Sequence, residues 1–274
     1  MKKLLGLALF AAVVWIFIWG SNNWIQTTEY TVSSEELPAA FDGKKIMQVS
    51  DLHNATFGDR QKPLIEKVQK EQPDVIFITG DLIDSNRYDL EPALTLVDAL
   101  VEIADVYFVT GNHEISINRL DEIRQALTDR GVIYLENEAV DWTMEGETVQ
   151  IAGIHDPLMS NYRGEEEYTR GAIAESALSD DFTLLLAHRP EQFDVYVENG
   201  IDVVFSGHAH GGQVRIPGIG GVFAPGQGWF PEMTKGVFKE ENTQLVVSRG
   251  LGNSGFPLRI LNRPEIVSVT LVKE

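Results

Sequence analysis

The chain has 274 residues, 43% hydrophobic and 23% charged, which is ordinary for a globular protein and leaves room for one large domain or two small ones. A formal net charge of -19 excludes a duplex nucleic-acid partner held by a basic patch, and an anionic substrate then needs a local positive centre such as bound metal ions. The absence of cysteine excludes a disulfide framework, a thiolate zinc site and a cysteine nucleophile, and leaves the compartment open.

Lys2 and Lys3 precede an uncharged apolar run from Leu4 to Trp19. As a helix at about 1.5 Å per residue the run covers roughly 24 Å, a little short of a ~30 Å hydrocarbon core. No small-x-small cleavage site follows, since Ile18 and Trp19 are bulky, and Trp15, Trp19 and Trp24 suit a membrane interface. No further Lys or Arg occurs until Lys44, so the positive-inside rule keeps the N-terminus in the cytoplasm and the rest of the chain outside. Residues 1–28 are read as an uncleaved signal anchor, giving a single-pass membrane protein. A cleaved signal peptide with secretion is the alternative, and a buried core helix a third reading. Residues 29–274 are read as one domain.

Thr28 to Ser33 alternates partly, as an approach strand, and Pro38 marks a turn. From Lys44 onward strands and helices alternate. The apolar run Ile46 to Ser50 is followed by a helix over Pro63–Glu71 with proline in its first turn. Val75 to Thr79 precedes a helix over Leu90–Ile103. Val106 to Thr110 precedes one marked by Ile117, Leu120, Ile123 and Leu127 and capped at Gly131. Val132 to Leu135, Ala139 to Met144 and Thr148 to Ile154 are short strands with turn residues between them, expected to be antiparallel. Helices follow over 165–178 and 190–198, flanking the strand Thr183 to Ala187. The buried-looking strand Val203 to Ser206 then leads into glycine-rich turns. Gln244 to Ser248 and Glu265 to Val272 end the pattern. No linker, low-complexity tract or 20–50 residue repeat interrupts it. Two sheets packed together with helices outside is the α/β architecture this order implies.

Five of these strands run into side chains that bind metals. The first ends in Asp51-Leu52-His53, the second in Gly80-Asp81, the third in Gly111-Asn112-His113-Glu114. The strand before Ala187 ends in His188, and that before Gly207 in His208-Ala209-His210. Residues just past the carboxyl ends of parallel strands converge on one crevice in an α/β sheet. Imidazole nitrogens and carboxylate oxygens gathered there imply one metal centre.

Asp-x-His at Asp51 and His53, Gly-Asp-x-x-Asp at Gly80 to Asp84, Gly-Asn-His-Glu at Gly111 to Glu114, His188, and Gly-His-x-His at Gly207 to His210 occur in an order that resembles the five signature blocks of the calcineurin-like metallophosphoesterases. The tail, with Ser248-Arg249-Gly250-Leu251-Gly252 and Asn262-Arg263-Pro264-Glu265, resembles the membrane-associated or exported bacterial branch of that superfamily. The resemblance implies an αββα sandwich of two mixed sheets and a dinuclear centre. No long insertion for a cap domain is present, so substrate selection falls to short loops. By the resemblance, Asp51, His53 and His210 hold one ion, Asp81 bridges, and Asn112, His188 and His208 complete the second. The donor set suits Mn, Fe or Zn, with Mn favoured. Two such ions would clamp phosphoryl oxygens and lower the pKa of a bridging water, making hydroxide available for in-line attack. The implied activity is hydrolysis of a phosphoester, a phosphodiester by preference; a phosphomonoesterase or pyrophosphatase acting on a lipid-linked or nucleotide substrate is the alternative.

His113, which the family pattern leaves unligated, is expected to contact the phosphate and protonate or stabilise the leaving oxygen. Asp84 is expected either to orient it through the other ring nitrogen or to cap a turn. Glu114 reads as a supporting acid, His155 as a turn histidine, and Arg189 as a phosphate contact or a surface ion pair. Trp229-Phe230 reads as a core plug beneath an irregular loop, or else as an edge facing a lipid or stacking on substrate; if it is exposed on a membrane-tethered domain, a lipid-linked or envelope phosphodiester becomes the substrate. A metallo-β-lactamase-like hydrolase would need His-x-His-x-Asp-His, which Asp51-Leu52-His53-Asn54 does not supply. A non-catalytic, membrane-tethered binding protein would be expected to have lost ligands, and every position is filled. Oligomeric state leaves no mark on the sequence.

Overall fold

The computed structural model describes residues 2–160 and 164–274. Helix α1 (Lys2–Asn23) is longer than the apolar run alone, because Asn22 and Asn23 cap its last turn through the Ile18 and Trp19 carbonyls. At 22 residues it is long and apolar enough to cross a membrane. The chain then runs through β1 (Gln26–Ser34), β2 (Lys45–Val49), α2 (Lys62–Glu71), β3 (Val75–Ile78), α3 (Glu91–Leu100), β4 (Asp105–Phe108), α4 (Asn112–Ile115), α5 (Leu120–Thr128) and β5 (Ile133–Tyr134). The hairpin β6 (Glu138–Met144) and β7 (Glu147–Gly153) leads to α6 (Glu165–Glu175), β8 (Thr183–Leu186), α7 (Phe193–Glu198) and β9 (Val203–Ser206). Two small ribbons follow, β10 (Arg215–Ile216) with β11 (Gly220–Gly221) and β12 (Phe223–Ala224) with β13 (Gly228–Trp229). Strands β14 (Gly236–Glu240), β15 (Thr243–Val247) and β16 (Glu265–Lys273) complete the chain.

Two six-stranded mixed sheets result, in the orders β1-β16-β2-β3-β4-β5 and β14-β15-β9-β8-β7-β6. Strands β2 to β5 are parallel in the first, and β15, β9, β8 and β7 in the second. Side chains alternate along each strand and so serve two cores. Ile46, Phe77 and Tyr107 of the first sheet meet Leu184, Phe205 and Val246 of the second. The Phe77 and Phe205 rings stand edge to face with centroids 5.0 Å apart. On the outer faces, Met47, Ile76 and Phe108 pack under α2, α3 and α5, and Leu185, Val204 and Leu245 under α6 and α7. The layers are therefore αββα, as the order of elements implied.

Two expectations change. The strand at 132–135 is not antiparallel: its Ile133–Tyr134 core lies parallel to β4 at the sheet edge. Gly131, at φ 88, turns the chain out of α5 so that it re-enters beside β4, which makes a crossover unit rather than a hairpin. Only β6 and β7 form the hairpin. The approach strand is also longer than Thr28–Ser33, because the whole of β1 pairs in parallel with β16 from Gln26 to Ser34.

One polar contact ties the sheets together beneath the site. Gln48, fully buried on β2, donates to Thr79 Oγ1 at 3.1 Å and to the Ser206 carbonyl of β9 at 3.0 Å. Replacing it with Leu removes both bonds and leaves the buried Thr79 hydroxyl without this partner, while the Ser206 carbonyl keeps the Ser248 N–H. Gln48→Leu is expected to lower the unfolding free energy by roughly 1–3 kcal/mol in urea titrations. An unchanged midpoint would show that the link contributes nothing.

Candidate metal centre

The ends of β2, β3, β8 and β9 and the start of α4 meet because glycines let them. A Cβ on Gly111 would stand 2.2 Å from Asp81 Oδ1, and one on Gly207 would stand 2.0 Å from Ser50 Oγ. Each strand is left in a sharp turn. Asp51, His53, Asp81, His208 and His210 all have φ between 46° and 62°, the left-handed region that non-glycine residues avoid. Those turns aim the side chains at one point.

Two groups of donor atoms form there, sharing Asp81. Asp51, His53, Asp81 and His210 make one and Asp81, His188 and His208 the other, each with its donor atoms within 4.8 Å of one another. His53 Nε2 and His210 Nε2 face each other at 3.1 Å, and His188 Nε2 and His208 Nδ1 at 3.2 Å. Asp81 Oδ2 is 3.5 Å from His53 Nε2 and 3.3 Å from His188 Nε2. Asn112 Oδ1 and Asp51 Oδ2 are buried without a hydrogen-bond partner, an expensive state for a polar oxygen and a fitting one for a metal ligand. The donors present therefore suit two divalent ions bridged by a carboxylate.

The electrostatics agree. Burial pushes His53 down to about 4, His210 to about 3 and His208 well below its ordinary value, so these rings are neutral, with lone pairs to offer. Burial also works against a charge on His188, but the Asp81 carboxylate outweighs it and lifts the ring to about 10. Burial likewise disfavours the Asp81 carboxylate, and His188 more than offsets it, holding Asp81 well below the usual range. The pocket around Asp81 thus favours positive charge. His188 Nδ1 donates to the Thr79 carbonyl at 2.7 Å, which turns its Nε2 into the site.

Around the donors sit the residues that hold them. Glu114 is buried and accepts the backbone N–H groups of Asp81, Ile83 and Gly111, so it fixes the turn that presents Asp81. Burial and the nearby Asp81 charge push its carboxyl up to about 7. The hydrogen bond expected from Asp84 to His113 is not formed, since Asp84 Oδ1 lies 3.9 Å from His113 Nδ1. Asp84 instead accepts from the Asn86 backbone and pairs with Arg87, closing a turn. That turn brings the Ser85 N–H to His113 Nδ1 at 2.9 Å. Since a backbone N–H can only donate, Nδ1 is the acceptor and the proton sits on Nε2, 3.1 Å from Ser254 Oγ. His155 is buried against Thr110 and belongs to neither donor group. Arg189 is neither at the surface nor free for a phosphate, because it makes a buried two-pronged pair with Asp156 at 2.7 and 3.0 Å. Trp229 and Phe230, expected as a core plug, are 72% and 59% exposed.

Glu191 escaped the sequence reading. Its Oε1 lies 3.5 Å from His208 Nε2, the nitrogen turned away from the donors, and its Oε2 is buried without a partner. A carboxylate behind a ligating imidazole orients the ring and raises its basicity. Its neighbours Pro190 and Gln192 gave no sign of this role. Glu191→Gln is expected to weaken metal binding by about 10- to 100-fold in calorimetric titration of the metal-free chain. Unaltered affinity would remove Glu191 from the site.

Comparison with known proteins places this geometry. A model of the calcineurin-like phosphoesterase family matches residues 44–212. The uncharacterized metallophosphoesterase YkuE of Bacillus subtilis (strain 168) is 31% identical over 256 residues, covering 90% of this chain and 85% of that protein. The transmembrane protein with metallophosphoesterase domain of Danio rerio is 28% identical, covering 97% of this chain and 62% of that protein. The solved structure of TT1561 of Thermus thermophilus shares the fold, with a TM-score of 0.51 at 13% identity over 76% of this chain and 90% of that one. The chain belongs to the calcineurin-like phosphoesterases, a family of metal-dependent phosphoester hydrolases.

Proposed function

We propose that residues 29–274 form a phosphodiesterase dependent on two divalent metal ions, tethered by residues 1–28 to the outer face of the cytoplasmic membrane. The observation that carries it is the pair of donor groups sharing Asp81. One ion would be held by Asp51, His53, Asp81 and His210, the other by Asp81, Asn112, His188 and His208. Such ions, when bound, stabilise charge on phosphoryl oxygens and make water a nucleophile near neutral pH. The mixture of carboxylate, amide oxygen and imidazole suits Mn.

The protein's own groups account for the rest. His113 stacks edge to face on His53, centroids 4.5 Å apart, and holds its proton on Nε2. In hydrolysis a water oxygen bonds to phosphorus, the bond from phosphorus to the departing oxygen breaks, and its electron pair stays on that oxygen. In this reading the His113 Nε2–H would donate a hydrogen bond to it. Preference for a diester rests on the space at the centre. A polar cavity of about 350 Å³ opens at His53, lined by Asn54, Arg87, Asp89 and Asn253. An apolar groove opens at His210. A monoester has one substituent to place and a diester two. The location outside the membrane is supported by Lys2 and Lys3 at the N-terminal end of α1, ahead of its apolar run.

The test is hydrolysis by the full chain in nanodiscs with Mn²⁺, offering bis(p-nitrophenyl) phosphate and p-nitrophenyl phosphate side by side. The diester is expected to be the better substrate, a chelator to abolish turnover, and Asp81→Asn to reduce it by at least about 100-fold. A faster monoester would replace the diester reading, and turnover indifferent to chelation would sink the metal-dependent one. His113→Ala should lower kcat by roughly 10²–10⁴-fold for an alkyl leaving group and less for p-nitrophenolate, which needs little help to depart. Equal losses for both would remove His113 from the leaving side.

A further inference from the structure

The groove at His210 measures about 470 Å³, and its walls are almost wholly apolar. Phe223, Trp229 and Phe256 frame it, 45%, 72% and 50% exposed. Phe223 and Trp229 are cross-strand partners on β12 and β13, with centroids 5.4 Å apart, so this side of the frame is a built surface. Large aromatic side chains standing open around a groove that ends at a metal-binding histidine mark an apolar ligand site. The cavity on the other side, at His53 and Arg87, is polar.

The groove is continuous with the seat of α1. Ser254, Gly255 and Phe256 form one wall of it, while Asn253, Pro257 and Leu258 in the same segment line a cavity against Trp15, Trp19 and Asn22 of the helix. Asn22 fixes the contact: its side chain accepts from the Arg259 N–H at 2.8 Å and from Asn253 Nδ2 at 3.1 Å. The aromatic end of a helix fit to cross a bilayer is therefore bonded to the segment that walls the groove. A soluble substrate would require neither feature.

We propose that the groove is a chain subsite, and that the substrate is a phosphoester of a membrane lipid. Its phosphate lies at the metal centre, its apolar chain between Phe223, Trp229 and Phe256, and its polar substituent towards Arg87. The assignment rests on the phosphodiesterase reading above.

Full-length protein in phosphatidylcholine nanodiscs with Mn²⁺ would be given methyl and hexyl p-nitrophenyl phosphate. The hexyl ester is expected to have a kcat/KM at least tenfold higher, about the worth of two buried methylenes. In Trp229→Ala/Phe256→Ala the ratio should fall to near one. Hexyl phosphonate, and not methyl phosphonate, should shift the tryptophan emission of the wild type and leave that of Trp229→Phe unmoved, a readout independent of turnover. A wild-type ratio near one, with both esters hydrolysed, overturns the chain subsite and leaves the phosphodiesterase standing. A high ratio that persists in the double variant belongs to the bilayer and overturns it too. No hydrolysis of either ester by metal-loaded protein sinks the reading beneath it.

Discussion

The site depends on a backbone that leaves its strands in the wrong hand. Asp51, His53, Asp81, His208 and His210 each adopt left-handed φ, at a cost of roughly 1–2 kcal/mol per residue. A strand continued regularly would send these side chains alternately into the inner and outer cores. The left-handed turns send them to one point instead. What holds the turns is local: the Asp51 N–H donates to the Gly80 carbonyl, the His53 N–H to the Asp81 carbonyl, and the His208 N–H to Asp51 Oδ1. Strain of this kind persists only where the surroundings over-determine it, and it concentrates at functional sites.

The same turns explain how an acidic chain builds a place for anions. With a net charge of -19 the protein as a whole repels phosphate. At the centre, Asp51 Oδ2 and Asn112 Oδ1 are buried without hydrogen-bond partners, and the nearest acid beneath them, Glu114, is occupied by three backbone N–H groups. Positive charge brought by ions is the natural complement, and it sits where a phosphate would need it.

The strands β2, β3, β4, β8 and β9 were legible because each is a mainly apolar run, broken in β2 by Gln48, that gives way abruptly to glycine, histidine or carboxylate residues. Pairing was less legible. Nothing in Gln26–Ser34 names β16 as its partner, 239 positions on at Glu265, since β1 takes its place from tertiary contact rather than from its own pattern. The edge strand β5 was misread for the same reason. Among the site residues, Asp84 could be read as orienting His113 or as capping a turn, and the turn cap holds, because a one-residue shift hands His113 to the Ser85 backbone. Glu191 looked like a surface acid, and only the fold brings it behind His208. The exposure of Trp229 was hidden because two-residue strands are too short to show a period.

The chain from 249 to 265 joins these observations. Glu265 accepts from the Arg249 backbone and pairs with its guanidinium at 2.8 Å, both buried, and this fixes Gly250 and Leu251 beneath Asp51. Asn262 donates to the His210 carbonyl at 2.7 Å, which holds the left-handed turn of that ligand from behind. Arg259 is fully buried, donates twice to the Gly252 carbonyl, and through its backbone receives Asn22 of α1. A helix used only as a tether would end in a loose linker. Here its last turn is hydrogen-bonded into the segment that supports His210, offers Ser254 to His113 and walls the apolar groove. The N-terminal apolar helix and the candidate metal centre therefore share one structural element, so a displacement of that helix would be felt at the site.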